Sequence, residues 1–486
     1  MRRLLAAAFA CTLAFGAQAQ AATPELSADE AQRDLRILKR ALTDLHPGLY
    51  RYTTPAQLDA EFAAAEQAVK AGSTRADMFL LASRLAAAVR CGHTWASPYN
   101  QSKAVESGVF ARSDKLPLTL RFVEGRVLIT GSLVPGLKAG AELLAIDGRP
   151  VAQIQDALLP YLRADGEHEG ARAKRLSQLD SGANGGAMDR LFPLRFPPQG
   201  GRYRLRVADT PSAAPRDIDA QSVALAERDK ALPPESAQWT FRVDGEVATL
   251  TIPTFAFWRS EFKPEVFLER AFTAMRYVPF LVIDLRRNEG GDDAIGRLLL
   301  SHLLREPASF PGYRVESAYE RAPYALARYL DTWDFGFFDR TGQVTKGPGR
   351  NWQLPDRPGT RIEPNANTYP GRVIALVGPQ NSSAGFLLAR ALKSTGAATL
   401  VGQTTGGNVR GLNGGQLAWV TLPASGVGVD IPLLASVYAG DPPDAGITPD
   451  MPVAPRFADA AAGVDTEMRA AFELIARWKV AAPARP

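Results

Sequence analysis

The chain has 486 residues, 46% hydrophobic and 22% charged, so it is long enough for several domains and is neither disordered nor fibrous in composition. Its formal net charge is +5, yet no lysine or arginine block occurs along it, which argues against a nucleic-acid-binding face. Past the N-terminus no apolar run is long enough to span a bilayer.

Met1-Arg2-Arg3 precedes the apolar stretch Leu4 to Phe15, and Gly16-Ala17-Gln18-Ala19 supplies small residues for cleavage. That order predicts a signal peptide over 1–21, cut after Ala19 or Ala21, and hence a periplasmic or secreted protein. Its removal takes away Arg2 and Arg3 and lowers the net charge by two, from +5 to +3. Cys11 leaves with it, in a context (Ala8-Phe9-Ala10) poorly suited to lipid attachment. Only Cys91 remains, so no internal disulfide is expected and stability must come from packing.

Residues 24–105 read as a helical unit. Ser27 and Glu30 have capping-box spacing, and Leu35, Leu38, Leu42 and Leu45 recur at helical intervals before Pro47. Thr54-Pro55 starts a second helix, and Ser73 or Thr74 a third with Met78, Leu81, Leu85 and Val89 on one face. Gly92 is the expected stop, which leaves His93 on the exit loop.

From Leu116 the period becomes that of strands: Leu118, Leu120 and Phe122 alternate, Glu124-Gly125 turns, and Val127 and Ile129 return. Gly140 to Val151 then reads Gly-Ala-Glu-Leu-Leu-Ala-Ile-Asp-Gly-Arg-Pro-Val ahead of a helical run. This resembles the second half of a bacterial PDZ domain and implies a PDZ-like domain over 106–165. Such domains hold a peptide C-terminus on backbone N–H groups. Here the corresponding stretch contains Pro117, which has no N–H to give. Residues 166–235, rich in Gly, Pro, Ala and Ser, read as a loop-rich connector with one strand near Arg202 to Val207.

The remainder, 236–480, alternates strands and helices as an α/β core does. A hairpin turns at Asp244-Gly245, a helix covers Glu261 to Met275, and the buried strand Pro279 to Ile283 runs into Asp284-Leu285-Arg286-Arg287-Asn288-Glu289-Gly290-Gly291. After a helix at Ile295 to Leu304, residues 305–370 form a polar, aromatic insertion suited to a flap. The apolar run Val373 to Val377 then breaks at Gly378-Pro379-Gln380-Asn381, and Ser382-Ser383-Ala384-Gly385 opens a helix. A serine at that point either caps the helix or acts as a nucleophile, favoured by the unpaired N–H groups there. Paired glycines at the neighbouring strand end allow backbone N–H groups close to a reacting atom. Strands at Thr399 to Val401, Gly415 to Thr421 and Val427 to Ile431 follow, and a helix from Asp465 to Trp478 closes the chain.

Taken in order, Ile283-Asp-Leu-Arg-x-Asn-x-Gly-Gly291, Gly378-Pro-x-x-Ser-Ser-Ala-Gly385, Val401-Gly-x-x-Thr-Gly-Gly407 and Gly446-Ile-x-Pro-Asp450 are similar to motifs of the C-terminal-processing and tricorn-type serine peptidases. The resemblance implies an α/β fold: a crotonase-like ββα spiral catalytic core with an N-terminal helical domain and a PDZ-like domain. It also implies an enzyme that cleaves peptide bonds through an acyl-enzyme. Ser383 would be the nucleophile, with Ala384 and Gly290 or Gly291 as the oxyanion hole.

The processing branch draws its general base from a lysine in a Gly-Lys-Gly segment after the serine, where this chain has Gly407-Asn408-Val409. Asn408 cannot take a proton, and Lys393 lies well along the helix. Cys91-Gly92-His93-Thr94 matches the Gly-His-Thr of the tricorn branch, which implies His93 as base, and imidazole suits proton transfer near neutrality. His46, His168 and His302 read as structural. The resemblance places the orienting acid at Asp444, with Asp441 as rival, and Gly92 stands where that branch has a serine. Cys91 reads as a buried thiol. No cofactor is expected and no metal, for want of ligand spacing in the sequence. The expected partner is a peptide or protein substrate, with no nucleic acid and no membrane span. A non-catalytic binding protein on the same fold and an acyl hydrolase using the same serine stay open at this stage.

Overall fold

The computed structural model describes residues 25–178, 186–210, 212–232, 239–258, 260–347 and 349–481, so the leader expected over 1–21 lies outside the described residues. Three helices come first: α1 (Ala28–Leu45), α2 (Pro55–Ala68) and α3 (Arg75–Ala88). Each starts on a hydroxyl cap, Ser27, Thr54 or Thr74, reciprocated by the side chain of Glu30, Gln57 or Asp77. Leu35, Leu38, Leu42 and Leu45 are fully buried. The end of α3 departs from expectation. The left-handed residue beyond it is Arg90 (φ +57), not Gly92. Gly92 is small for another reason: a Cβ there would lie 2.6 Å from Asp165 Oδ2.

The second unit is an antiparallel sheet of β1 (Leu118–Val123), β2 (Arg126–Ser132), β3 (Glu142–Ile146), β4 (Arg202–Ala208) and β5 (Arg216–Gln221), adjacent in that order. The expectation of a loop-rich connector over 166–235 is therefore corrected, because β4 and β5 complete the sheet that residues 118–146 begin. Inward Tyr203, Leu205 and Val207 account for β4. In β5, Arg-Asp-Ile-Asp-Ala-Gln carries little apolar pattern, and pairing with β4 rather than propensity makes it a strand.

The third unit begins with the hairpin of β6 (Thr240–Asp244) and β7 (Val247–Thr251), turned by Gly245 at φ +54. It continues with α4 (Pro264–Met275), β8 (Phe280–Asp284), α5 (Asp293–Ser301), β9 (Arg372–Val377), α6 (Ser383–Thr395) and β10 (Thr399–Gly402). Beyond them lie β11 (Leu417–Thr421), β12 (Gly428–Pro432), β13 (Ala435–Val437), β14 (Met451–Pro452) and α7 (Thr466–Ala481). The main sheet runs β14-β10-β9-β8-β7-β6, parallel except for the hairpin. Val373 to Val377 are all buried, as expected of a strand covered on both faces, each large side chain contributing about 1.5–3 kcal/mol. Residues 305–370 are tied into this unit: Tyr313–Ser317 pairs with β13 and Leu330–Asp331 with β11.

Asp284 and Leu376 face each other across β8 and β9. The glycine turn and the serine turn thus leave adjacent strands at their carboxyl ends, where open α/β sheets place ligands. Among the described residues no helix is long and apolar enough to cross a membrane.

Candidate active site

Ser383 is the first residue of α6 and has φ +48, a left-handed backbone that costs a non-glycine residue on the order of 1–3 kcal/mol. Such strain on a strand-to-helix turn holds a side chain out over the end of the sheet. Ser382 occupies the cap position but makes no cap hydrogen bond; its hydroxyl donates to the Glu289 carbonyl at 3.1 Å. The simple helix-cap reading therefore describes neither side chain. Ser383 Oγ instead lies 3.2 Å from His93 Nε2.

His93 reaches the serine across 290 residues of sequence because its loop is docked from several sides. The Gly92 N–H donates to Asp165 Oδ1 at 2.7 Å, and Arg163 donates to the Gly92 carbonyl. Arg163 also donates to Glu289 Oε2 at 3.0 Å, and Arg175 to Glu289 Oε1 at 2.7 Å. The Gly166 N–H donates to the Arg90 carbonyl. From the other side the Gly414 backbone packs on the ring, so that a Cβ there would lie 3.2 Å from Nε2. Burial pushes the imidazole pKa down, Arg163 and Arg175 add to this, and Asp165 and Glu289 oppose it. The ring is accordingly neutral at pH 7, the form that accepts a proton.

Gly290 lies against the serine turn: a Cβ on it would come within 2.8 Å of both Ala384 N and Ser383 Cβ. Its own N–H is committed to Asn288 Oδ1 at 2.8 Å. Gly291 differs. Phe255 bonds to its neighbours on either side, from the Phe255 N–H to the Gly290 carbonyl and from the Asp292 N–H to the Phe255 carbonyl. In such a parallel bridge the middle residue's own N–H turns the other way. Among the described residues the Gly291 and Ala384 N–H groups have no backbone acceptor, and Gly290, beside Gly291, packs against the serine turn.

Asp444 makes its hydrogen bond with Asn408 Nδ2, at 2.6 Å. The pair lies against Gly166, whose φ is +70, and Asp441 is exposed. The carboxylate beside the imidazole is Asp165. Among the described residues His93 Nδ1 and Asp165 Oδ2 are both buried without a hydrogen-bond partner. One ligand atom from each, together with Cys91 Sγ, falls within 4.8 Å of the other two. A Cys/His/Asp group thus has ligand proximity that the sequence spacing did not suggest.

The other histidines serve the fold. His46 ends α1, binds Thr94 Oγ1 at 3.0 Å, and is pushed down to about 3 by burial and then by Arg51 and Arg350. His302 stacks on Phe272 with ring centroids 4.4 Å apart, and His168 precedes a short helix, Glu169–Lys174. Cys91 is a buried free thiol whose pKa burial raises, then Asp165. Lys393 is directed to Asp450 and the Thr448 carbonyl, away from the serine. Sequence reasoning missed Asp165, Arg163 and Arg175, which lie in or beside the stretch read as a connector. Glu289 was inside a recognised motif, and its position beside the glycine pair was the available signal.

Residues 246–453 match the family model described as Peptidase family S41. Mature CPAF complexed with lactacystin aligns with 92% of this chain and 97% of its own at 16% identity and a TM-score of 0.63. Mature CPAF aligns with 89% and 94% at 15% identity and a TM-score of 0.59. These two likenesses show a shared fold. The photosystem II D1 C-terminal processing protease aligns with 88% and 94% at 14% identity, with a TM-score of 0.37. No curated protein matches the chain.

Proposed function

We propose that the chain, whose residues 246–453 match peptidase family S41, is an exported serine-type peptidase that works through a Ser383–His93 pair. The observation carrying this reading is the 3.2 Å approach of His93 Nε2 to a hydroxyl on a strained strand-to-helix turn. Ser383 Oγ attacks the scissile carbonyl while Nε2 takes its proton. The Gly291 and Ala384 N–H groups receive the oxyanion at the start of α6, where the helix dipole adds to them. The protonated imidazole then gives its proton to the leaving amine, and water attacking the acyl-enzyme repeats the cycle with His93 as base.

Productive proton transfer needs the tautomer with hydrogen on Nδ1. Asp165 is the carboxylate suited to favour it, through a bridging water, since the two side chains lie close and Nδ1 and Oδ2 are both buried without a partner among the described residues. Asp165 thereby takes the orienting part that the family resemblance gave to Asp444, while Asp444 holds Asn408. The parallel sheet with its flanking helices is read as the crotonase-like core, α1 to α3 as the helical domain, and the sheet from β1 as a PDZ-like module enlarged by β4 and β5. Export rests on the basic and apolar leader, and N-terminal sequencing of the mature protein should begin at Gln20 or Ala22.

A fluorophosphonate probe tests the chemistry. Wild-type protein should label at Ser383, Ser383→Ala not at all, and His93→Ala at least ~100-fold more slowly. Folded wild-type protein that never labels sinks the mechanism, and equal labelling of His93→Ala sinks the base. Digestion of a peptide library separates a peptidase from an acyl hydrolase.

A further inference from the structure

Behind His93 the Cys91 thiol joins the Asp165 carboxylate already assigned to the imidazole, and the hydrolytic cycle gives that thiol no part. Nε2 is turned to Ser383, which leaves Nδ1 for the group that gathers Cys91, His93 and Asp165 ligand atoms within 4.8 Å. Asp165 is only 1% exposed, and its Oδ2 and His93 Nδ1 are the two orphaned atoms already noted. Their surroundings are those of ligands held from behind. Asn413 Nδ2 donates to Cys91 Sγ at 3.5 Å and the His93 backbone N–H approaches the same sulfur. The Gly92 N–H fixes Asp165 through Oδ1 and leaves Oδ2 open. Hydrogen bonds of this kind orient metal ligands. Sulfur, imidazole and carboxylate together suit zinc and related thiophilic ions, whereas magnesium and calcium require oxygen. The nearby cations Arg163 and Arg175 are both engaged by Glu289, and Arg163 also by the Gly92 carbonyl.

We propose that Cys91, His93 and Asp165 form a regulatory site for a zinc-like divalent ion, which switches the peptidase off by occupying His93 Nδ1. Three bonds form, from Sγ, Nδ1 and a carboxylate oxygen, as the ion sheds water and keeps one for its fourth position. The thiol proton goes to solvent. The Nδ1 proton moves to Nε2, so the imidazole stays neutral and the proton count closes. Nε2 then faces Ser383 as a donor and cannot accept its proton. An imidazole held in the wrong tautomer disables a serine nucleophile even when every heavy atom is in place. The inhibition rests on His93 being the base, whereas the ligand set does not.

Cobalt(II), added to metal-free wild-type and Ser383→Ala protein, should produce a thiolate-to-cobalt charge-transfer band that saturates at one equivalent. Cys91→Ser should abolish the band, and Asp165→Asn, tested as a second variant, should weaken cobalt binding by at least ~10-fold. Zinc should block fluorophosphonate labelling of the wild type reversibly to chelator. Cys91→Ser, with its labelling rate in zinc compared with its own metal-free rate, should need at least ~10-fold more zinc for the same block. Absence of the cobalt band in folded wild-type protein overturns the site, as does equal zinc sensitivity in Cys91→Ser. Since the spectrum needs no activity, a protein that shows the band but never labels at Ser383 refutes the proposed catalysis and leaves the metal site standing.

Discussion

A single methyl group at Gly290 tests the oxyanion hole. The residue has φ +107, and an added Cβ would sit 2.8 Å from Ala384 N and from Ser383 Cβ. Both neighbours are part of, or one bond from, the backbone of the serine turn, so neither can swing aside as the tip of a long side chain could. The positive φ and the overlap should lower stability by about 1–3 kcal/mol. Catalysis should lose more, because the displaced groups are the nucleophile and an oxyanion donor. Loss of one such donor costs about 3–4 kcal/mol of transition-state stabilisation, which is about 10²–10³ in kcat. The Gly290→Ala variant should therefore show that fall in kcat on a cleaved peptide, with KM changed by less than about threefold, because the loss lies in the transition state. Thermal unfolding followed by circular dichroism checks that the fold persists. A folded variant whose kcat stays within about threefold of wild type would refute this account of the hole.

Two further outcomes follow from the charges around His93. The base acts in its neutral form, and its pKa is pushed below 6.5, first by burial and then by Arg163 and Arg175, so the acid limb of kcat/KM should have its midpoint below pH 6.5; a midpoint above that value contradicts the assignment. Glu289→Gln should destabilise the fold by only about 1–2 kcal/mol at pH 7, since the Glu289 side chain is 35% exposed and solvent screens its pairs with Arg163 and Arg175. Burial acts to raise the Glu289 pKa, but Arg175 and Arg163 outweigh it and hold the carboxyl below its ordinary 4.5. The stability it contributes is full above that value and is lost as the pH falls through the lower folded one, so wild-type and variant unfolding free energies, measured in denaturant, should converge in acid. Curves that stay parallel down to pH 3 would show that the pairing contributes nothing.

What could be read from the sequence was local chemistry. Ser27, Thr54 and Thr74 cap helices because a hydroxyl with a partner three residues on is a short-range signal. Strand ends at Asp284 and Val377 are marked by glycine, proline and asparagine, and the residues that follow them, Ser383 and the glycine pair, were legible with them. What escaped depends on pairing between distant segments. Strand β5 has no apolar alternation of its own and exists through β4. Asp165 stands before a glycine in a polar stretch that also holds Glu167 and Glu169, and nothing nearby in sequence says that it is the acid that will receive the Gly92 N–H. Gly92 illustrates the limit well: it looks like a helix stop, yet its missing side chain makes room for a carboxylate from another segment.

The same reasoning bears on why the proposed base, His93, lies so far upstream. Asn408, where the processing branch has its lysine, is fully buried with both ends of its amide engaged. Its Nδ2 donates to Asp444 at 2.6 Å, and its Oδ1 accepts the Arg410 N–H at 2.9 Å. An ammonium in that place would be paired with Asp444 and held protonated, the wrong state for a base. The space over Ser383 is filled instead by His93, with Gly414 against its ring. In the proposed mechanism the parallel sheet thus supplies the nucleophile and the oxyanion donors, and a loop after the N-terminal helices supplies the base. Their registration rests on the segment around 163–175, through Arg163 on the Gly92 carbonyl and Arg163 and Arg175 on Glu289. Because Glu289 adjoins the glycine pair, one clamp fixes the distance from imidazole to hydroxyl and the position of the donors. Loosening it would separate the base from a serine turn whose own geometry, set by β8, β9 and α6, stays intact.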